Sequence, residues 1–231
     1  GEEEKEVERR LIFGYYPEIV ADPENAEALL IQLLEESVFT QLGAADRINK
    51  SEQLIQLLRL LAFNIGQAIS YNELGGKCGL DNETVERYIR LLEKTQLLFV
   101  LPSYFNDHRY ELKKSHTVYF VDNGIRNALI RQFQALEFRN DLDLLWKNWV
   151  ISERRKANSL AGRNPASYFW KTHTKQEVDY IEVSETGINA YKMQWDKRKK
   201  IKVPASFTEY YSEIKTTGIN RSTFLSLITK K

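Results

Sequence analysis

Sulfur is almost missing from this chain: Cys78 and Met193 are the single cysteine and single methionine in 231 residues. One cysteine excludes an internal disulfide and a cysteine metal cluster, and Cys78 reads as a small core residue. The three histidines, His108, His116 and His173, have no metal-like spacing to one another. No apolar run is long enough to span a bilayer and no signal peptide is visible, so the expectation is a cytoplasmic protein without membrane association. No GxxxxGK(S/T) occurs, so no loop cradles nucleotide phosphates. Leu74-Gly75-Gly76-Lys77-Cys78 lacks both the upstream glycine and the hydroxyl that would ligate magnesium. No GxSxG nucleophile elbow is present either. With Gly1 first and methionine only at 193, the chain is expected to be an excised fragment or a processed product.

What is present suits a soluble globular protein: 42% hydrophobic and 28% charged residues, in a chain long enough for about one to three small domains. The net charge of +1 hides a gradient. Residues 1–50 hold 12 Asp/Glu against 5 Lys/Arg, whereas residues 140–231 hold 17 Lys/Arg against 10 Asp/Glu. An acidic head and a basic tail point to different partners for the two ends, or to each other.

The most informative stretch is Ile69 to Glu93. Tyr71–Cys78 reads as a short helix, Gly79–Leu80 as a tight turn, and Asp81 as the cap of a second helix. In that second helix Val85, Tyr88, Ile89 and Leu92 recur at i, i+3, i+4 and i+7, one apolar face. Ahead of it Leu54, Leu57, Leu58, Leu61, Ala62 and Ile65 repeat the same spacing. Behind it Leu97–Leu101 and Thr117–Asp122 read as strands around a polar stretch. Three helices followed by a strand pair is the plan of a winged helix, a nucleic-acid or protein docking module. The polar face of the second helix sets Glu83, Glu86 and Glu93 against Arg87, Arg90 and Lys94. A neutral helix supplies little phosphate neutralisation. The wing is more basic, with His108, Arg109, Lys113, Lys114 and His116.

Elsewhere, Glu2–Arg10 reads as a charged helical start and Phe13–Val20 as a turn into a hydrophobic segment. A helix beginning near Pro23 and Asn25 carries Ala28, Leu29 and Leu33 on one side. Another helix spans about Asn123–Phe133. After Phe138–Asp141 the period changes. Leu142–Asn158 is a helix with Leu145, Trp146, Trp149 and Val150 at helical spacing. Ser167–Lys171, Glu177–Val183 and Ile188–Trp195 read as strands, with a hairpin at Thr186-Gly187. Lys197–Lys202 is a basic loop, Pro204–Tyr211 a helix and Ser212–Thr216 a last strand. The expected fold is α+β or mixed, in three parts: 1–50, 51–139 and 140–231.

Five motifs occur in order: Phe13-Gly14-Tyr15-Tyr16-Pro17-Glu18, Ser70-Tyr71-Asn72-Glu73-Leu74, Thr84-Val85-Glu86-Arg87-Tyr88-Ile89, Asp122-Asn123-Gly124-Ile125-Arg126-Asn127-Ala128 and Glu177-Val178-Asp179. Together they resemble the C-terminal half of a large family of prokaryotic AAA-type ATPases, in which a P-loop module precedes a domain of unknown function. The resemblance covers nearly the whole chain. It implies that residues 1–50 are the end of the ATPase lid and its connection, and that the P-loop lies in a module upstream. It also implies a PD-(D/E)xK nuclease-like fold over 140–231. That motif uses an Asp on one strand, and a Glu two positions before a Lys on the next, to hold a divalent metal and activate water.

Here the resemblance places Asp179 at the Asp position, but Lys192 and Gln194 stand where Glu and Lys are expected. Lys147 stands where relatives often carry a helix carboxylate. An ammonium at 192 would pair with Asp179 and repel Mg²⁺, and Gln194 cannot stabilise a developing oxyanion. The expectation is a site with no catalytic residue, no metal and no cofactor. Phosphate contacts are expected instead from Lys171, Lys175, Lys192 and Lys202, and from Lys197, Arg198, Lys199 and Lys200, together with Arg87, Arg90, Arg109, Lys113 and Lys114. The function expected is a non-catalytic, DNA-binding C-terminal region of an AAA-type ATPase, with the ATPase module as its partner in the same chain. The alternative is a protein-interaction or self-association module. A metal-dependent nuclease is the third reading, disfavoured by the substitutions.

Overall fold

In the computed structural model, residues 2–39, 51–105 and 115–229 are described. Among these residues the fold is mixed α/β, with two small sheets. The chain divides into two compact units: residues 1–99 with 118–145, and residues 100–117 with 146–231.

The first unit begins with helices α1 (Glu2–Phe13), α2 (Pro17–Ala21) and α3 (Ala26–Leu33), and a π-helical segment Leu34–Phe39. The face of α3 differs from the one expected. Ala26 and Leu30 are buried, with Leu34 just beyond, whereas Ala28 is exposed and Leu29 and Leu33 are half-buried. The segment is apolar nearly all round, so periodicity alone did not single out a face.

Helix α4 (Ser51–Phe63) buries Leu54, Leu57, Leu58, Leu61 and Ala62 on the stripe that the spacing predicts. A two-residue strand β1 (Ala68–Ile69), α5 (Tyr71–Cys78) and α6 (Asn82–Lys94) follow. Gly79 ends α5 with φ +66°, a left-handed conformation that a Cβ disfavours, and its N–H donates to the Gly75 carbonyl. Asp81 caps α6 by accepting from the Thr84 N–H at 2.8 Å. Strands β2 (Leu98–Pro102) and β3 (His116–Phe120) complete a sheet ordered β1-β3-β2. The wing residues His108, Arg109, Lys113 and Lys114 lie outside the described residues.

Helix α7 (Asn123–Leu129) is shorter than the expected 123–133; Arg131 then adopts φ +53°. Its start is a polar hub. Asp122 accepts from the Gly124 N–H at 2.7 Å, the Ile125 N–H at 3.2 Å and the Tyr15 N–H at 2.7 Å. Asn123 and Asn127 donate to the Leu11 carbonyl, and Asn127 also to that of Ile12, so the last carbonyls of α1 are satisfied by α7. Arg126 donates to the Ala62 carbonyl at the end of α4 and pairs with Asp141. Two of the five sequence motifs thus meet as one structural joint.

The second unit holds α8 (Leu142–Leu160) from Trp146 onward, then β4 (Ala166–Lys171), β5 (Glu177–Ser184), β6 (Gly187–Met193), α9 (Ala205–Tyr210), β7 (Lys215–Ile219) and α10 (Phe224–Ile228). The sheet runs β4-β5-β6-β7, antiparallel except for β6–β7. The last strand lies at 215–219, three residues past the expected 212–216. Ser212–Ile214 form the turn out of α9, and Ile214 packs into the core. Helix α10 was not anticipated. Trp170, Val178, Ile181, Ala190, Phe207, Tyr211 and Ile214 form the core under one sheet face.

Candidate functional site

Helix α8 carries Lys147, Arg154 and Asn158 at i, i+7 and i+11, one face of a 3.6-residue helix. All three reach acidic groups of β5. Strict alternation along β5 would put Asp179 and Glu182 on opposite faces. The register with β4 prevents this: Tyr168 faces Ile181 but Trp170 faces Val178, so Asp179 and Tyr180 together stand opposite Phe169 alone. This bulge lets Val178 and Ile181 share the apolar core and turns Glu177, Asp179 and Glu182 toward α8.

Lys147 Nζ lies 2.7 Å from Asp179 Oδ1 and donates to Glu177 Oε1 at 2.8 Å. Lys192 Nζ donates to the same two oxygens, each at 3.2 Å. The Met193 N–H donates to Asp179 Oδ2 at 2.6 Å. The β5–β6 ladder ends at Tyr180–Tyr191, so the expected Lys192–Asp179 contact forms just past the last ladder pair, where a carboxylate replaces a strand carbonyl as acceptor. Lys171 Nζ approaches Glu177 Oε2 at 3.5 Å.

Asp179 is only 4% exposed, and both its oxygens are bonded. Burial alone would raise the Glu177 pKa, but the ammoniums of Lys147, Lys192 and Lys171 outweigh it and hold the group at about 2, against an ordinary 4.5. A divalent cation would have to displace two ammoniums from Asp179 Oδ1. Among the described residues, no group of three or more His, Cys, Asp or Glu is placed to hold a metal. Of the four positions singled out in the sequence, Lys147, Asp179, Lys192 and Gln194, the structure brings the first three together. Gln194 contributes a backbone N–H to the Ile219 carbonyl, across to β7.

A second network along the same helix face was not read from the sequence. Arg154 grips Glu182 with two bonds of 2.8 and 2.7 Å, and Asn158 donates to Glu182 at 2.6 Å. The Tyr191 hydroxyl, 3.5 Å from Glu182, has its pKa pushed up to about 12, first by burial and then by that carboxylate. Burial, with Glu182 adding to it, also raises Tyr180, whose hydroxyl meets Ser167. The spacing of Lys147, Arg154 and Asn158 was the available signal.

The cations expected to contact phosphate are dispersed. Lys197, Arg198, Lys199 and Lys200 are exposed in the segment after β6, where Arg198 bonds Asp196. On α6, Arg90 is paired with Glu86 at 2.5 Å, and the Arg87 guanidinium lies 5.2 Å from the Tyr88 ring centroid.

Residues 4–136 match a family described as Domain of unknown function (DUF8612), and residues 143–226 match Domain of unknown function (DUF4143). The chain is similar to an uncharacterized protein of Haemophilus influenzae, 24% identical over 124 residues. The similarity covers 51% of this chain and 31% of that protein, so the chain spans well under two thirds of its relative. No solved structure matches.

Proposed function

This chain belongs to the family described as Domain of unknown function (DUF8612), and on that footing we propose that it is the non-catalytic, DNA-binding C-terminal region of an AAA-type ATPase. The motif order resembles that family of ATPases, and DUF4143 is a domain commonly associated with their C-terminal regions. The element order α4-β1-α5-α6-β2-β3 fits a winged helix. The observation that carries the reading is the charge pattern of the second unit. Ammoniums of Lys147 and Lys192 occupy the carboxylate site that would hold a metal in an active relative, and the four exposed cations Lys197–Lys200 follow in the segment after β6. Such a surface attracts phosphates and lacks the means to cleave them.

The test is binding of a labelled duplex DNA across a KCl series. Phosphate contacts release counterions, so affinity falls steeply with salt. Replacing Lys197, Arg198, Lys199 and Lys200 with Ala weakens binding uniformly across sequences and flattens the salt slope. Replacing Arg87 and Arg90 matters less, because α6 carries its own carboxylates. Loss of binding on the Arg87/Arg90 change alone would restore α6 as the reading element and sink this assignment of the contacts.

The Glu86–Arg90 pair favours a second reading, a protein-docking module that recruits the ATPase to a protein partner. Exposed Phe63 and Phe138 in the first unit suit it too. Duplex binding that is absent at low salt would favour it.

A further inference from the structure

The cluster around Glu177 carries more positive than negative charge. Three ammoniums, those of Lys147, Lys171 and Lys192, surround two carboxylates, those of Glu177 and Asp179. The engagement of the three is unequal. Lys147 and Lys192 each contact both carboxylates at 2.7 to 3.2 Å. The Lys171 ammonium donates no hydrogen bond among the described residues; its single ionic contact, 3.5 Å from Glu177 Oε2, is Coulombic. It therefore keeps its donors available while lying 16% exposed beside a Glu177 side chain that is 30% exposed.

Solvent, and hence a ligand, reaches this edge of the cluster, whereas Asp179 beneath it is closed off. A partly buried ammonium attracts an anion more strongly than a surface one, because less water screens it. The exposed turn after Lys171 adds His173 and Lys175, and the run Lys197–Lys200 adds long-range attraction.

We propose that the Lys171 edge of this cluster is an anion site that takes a phosphate group, with Lys171 supplying both the hydrogen-bond donors and the surplus positive charge. The inference rests on the DNA-binding reading only for the source of the phosphate, which is a nucleic-acid backbone rather than the free ion. The carboxylates serve as fixed counter-charges that hold two of the lysines in place. They leave the third for the ligand.

The experiment uses the full chain, Lys171→Ala and Lys171→Arg, with thermal unfolding as the control for folding. Lys171 gives up no hydrogen bond, so both variants keep the wild-type unfolding temperature within a few degrees. Two probes are used: a fluorescein-labelled duplex across a KCl series, and inorganic phosphate titrated into protein carrying ¹³Cε-labelled lysine. The expected result is that Lys171→Ala weakens the duplex about threefold or more and lowers the salt slope by about one. It also removes a phosphate-induced lysine shift, and Lys171→Arg retains most of the affinity. Duplex binding untouched by Lys171→Ala but lost on replacing Lys197–Lys200 overturns the site and leaves the DNA reading standing. A phosphate shift that depends on Lys171, in a protein that ignores duplex, keeps the site as a free-phosphate site and overturns the DNA reading. Neither response overturns both.

Discussion

Lys147 Nζ and Asp179 Oδ1 stand 2.7 Å apart, a helix ammonium against a strand carboxylate that is almost wholly buried. Under the nuclease-like reading proposed above, an active site would set that carboxylate against a cation with two positive charges. Here the neutralising charge is covalently part of the chain, and it is shared by Lys147 and Lys192.

Removing Lys147 leaves the buried Asp179 charge to Lys192 and the Met193 N–H. Lys147→Met is expected to lower stability in urea by less than the roughly 3–5 kcal/mol of a fully unpaired buried charge. Adding Asp179→Asn should recover part of that loss, because the double variant no longer buries a charge beneath a missing ammonium. Strictly additive losses would show that the two residues do not act on each other.

Acid should weaken the protein through Glu177. Its pKa in the fold is about 2, against 4.5 ordinarily, so the ionised form is favoured by folding. The stability it contributes is fully present above about 4.5 and is lost as pH falls through about 2. The urea midpoint of the wild type should fall more steeply over that window than that of Glu177→Gln. Parallel curves would remove Glu177 from the account of acid stability.

The unmodified chain is expected to leave supercoiled plasmid intact in Mg²⁺ or Mn²⁺. Restoring the expected chemistry needs Lys192→Glu and Gln194→Lys, with Lys147→Glu to clear the seat of the cation. Gain of nicking in the triple variant supports the assignment of these positions. Nicking by the unmodified chain, abolished by Asp179→Ala, would sink it.

Gly14 adopts φ +72°, and a Cβ there would lie 2.0 Å from Asp122 Oδ1. Gly14→Ala therefore meets backbone strain and a collision with the carboxylate that accepts the Tyr15, Gly124 and Ile125 N–H groups. A loss of about 3 kcal/mol or more is expected in urea. Gly162 has φ +67° with nothing within 4 Å of a built Cβ, so Gly162→Ala isolates strain alone and should cost about 1 kcal/mol. Equal losses at the two positions would mean that the Asp122 joint yields at little cost.

Local chemistry was legible without the structure. The stripe Leu54–Ile65, the face Val85–Leu92, the Gly79 stop and the Asp81 cap depend only on neighbours within a few residues, and each forms as read. Leu145, Trp146, Trp149 and Val150 likewise all bury on α8. Proximity of Lys192 to Asp179 was also legible, because resemblance to a known motif supplied the strand register that the residues alone do not state.

Other features depended on distant parts of the chain. Nothing near Ala28 says that Ala26 and Leu30 face the core instead; that choice is made by what packs against α3. The Asp122 joint ties residues more than a hundred positions apart, so Gly14 and Asp122 explain each other only when seen together. The bulge at Asp179–Tyr180 is a property of the pairing with β4, not of β5. It is this extra residue that turns Glu177, Asp179 and Glu182 to one helix. The sequence determined which residues were ionisable and which helices would form, because both are short-range properties. Only the tertiary structure decided which charges became partners, because a one-residue offset between two strands selects the face on which a carboxylate lies.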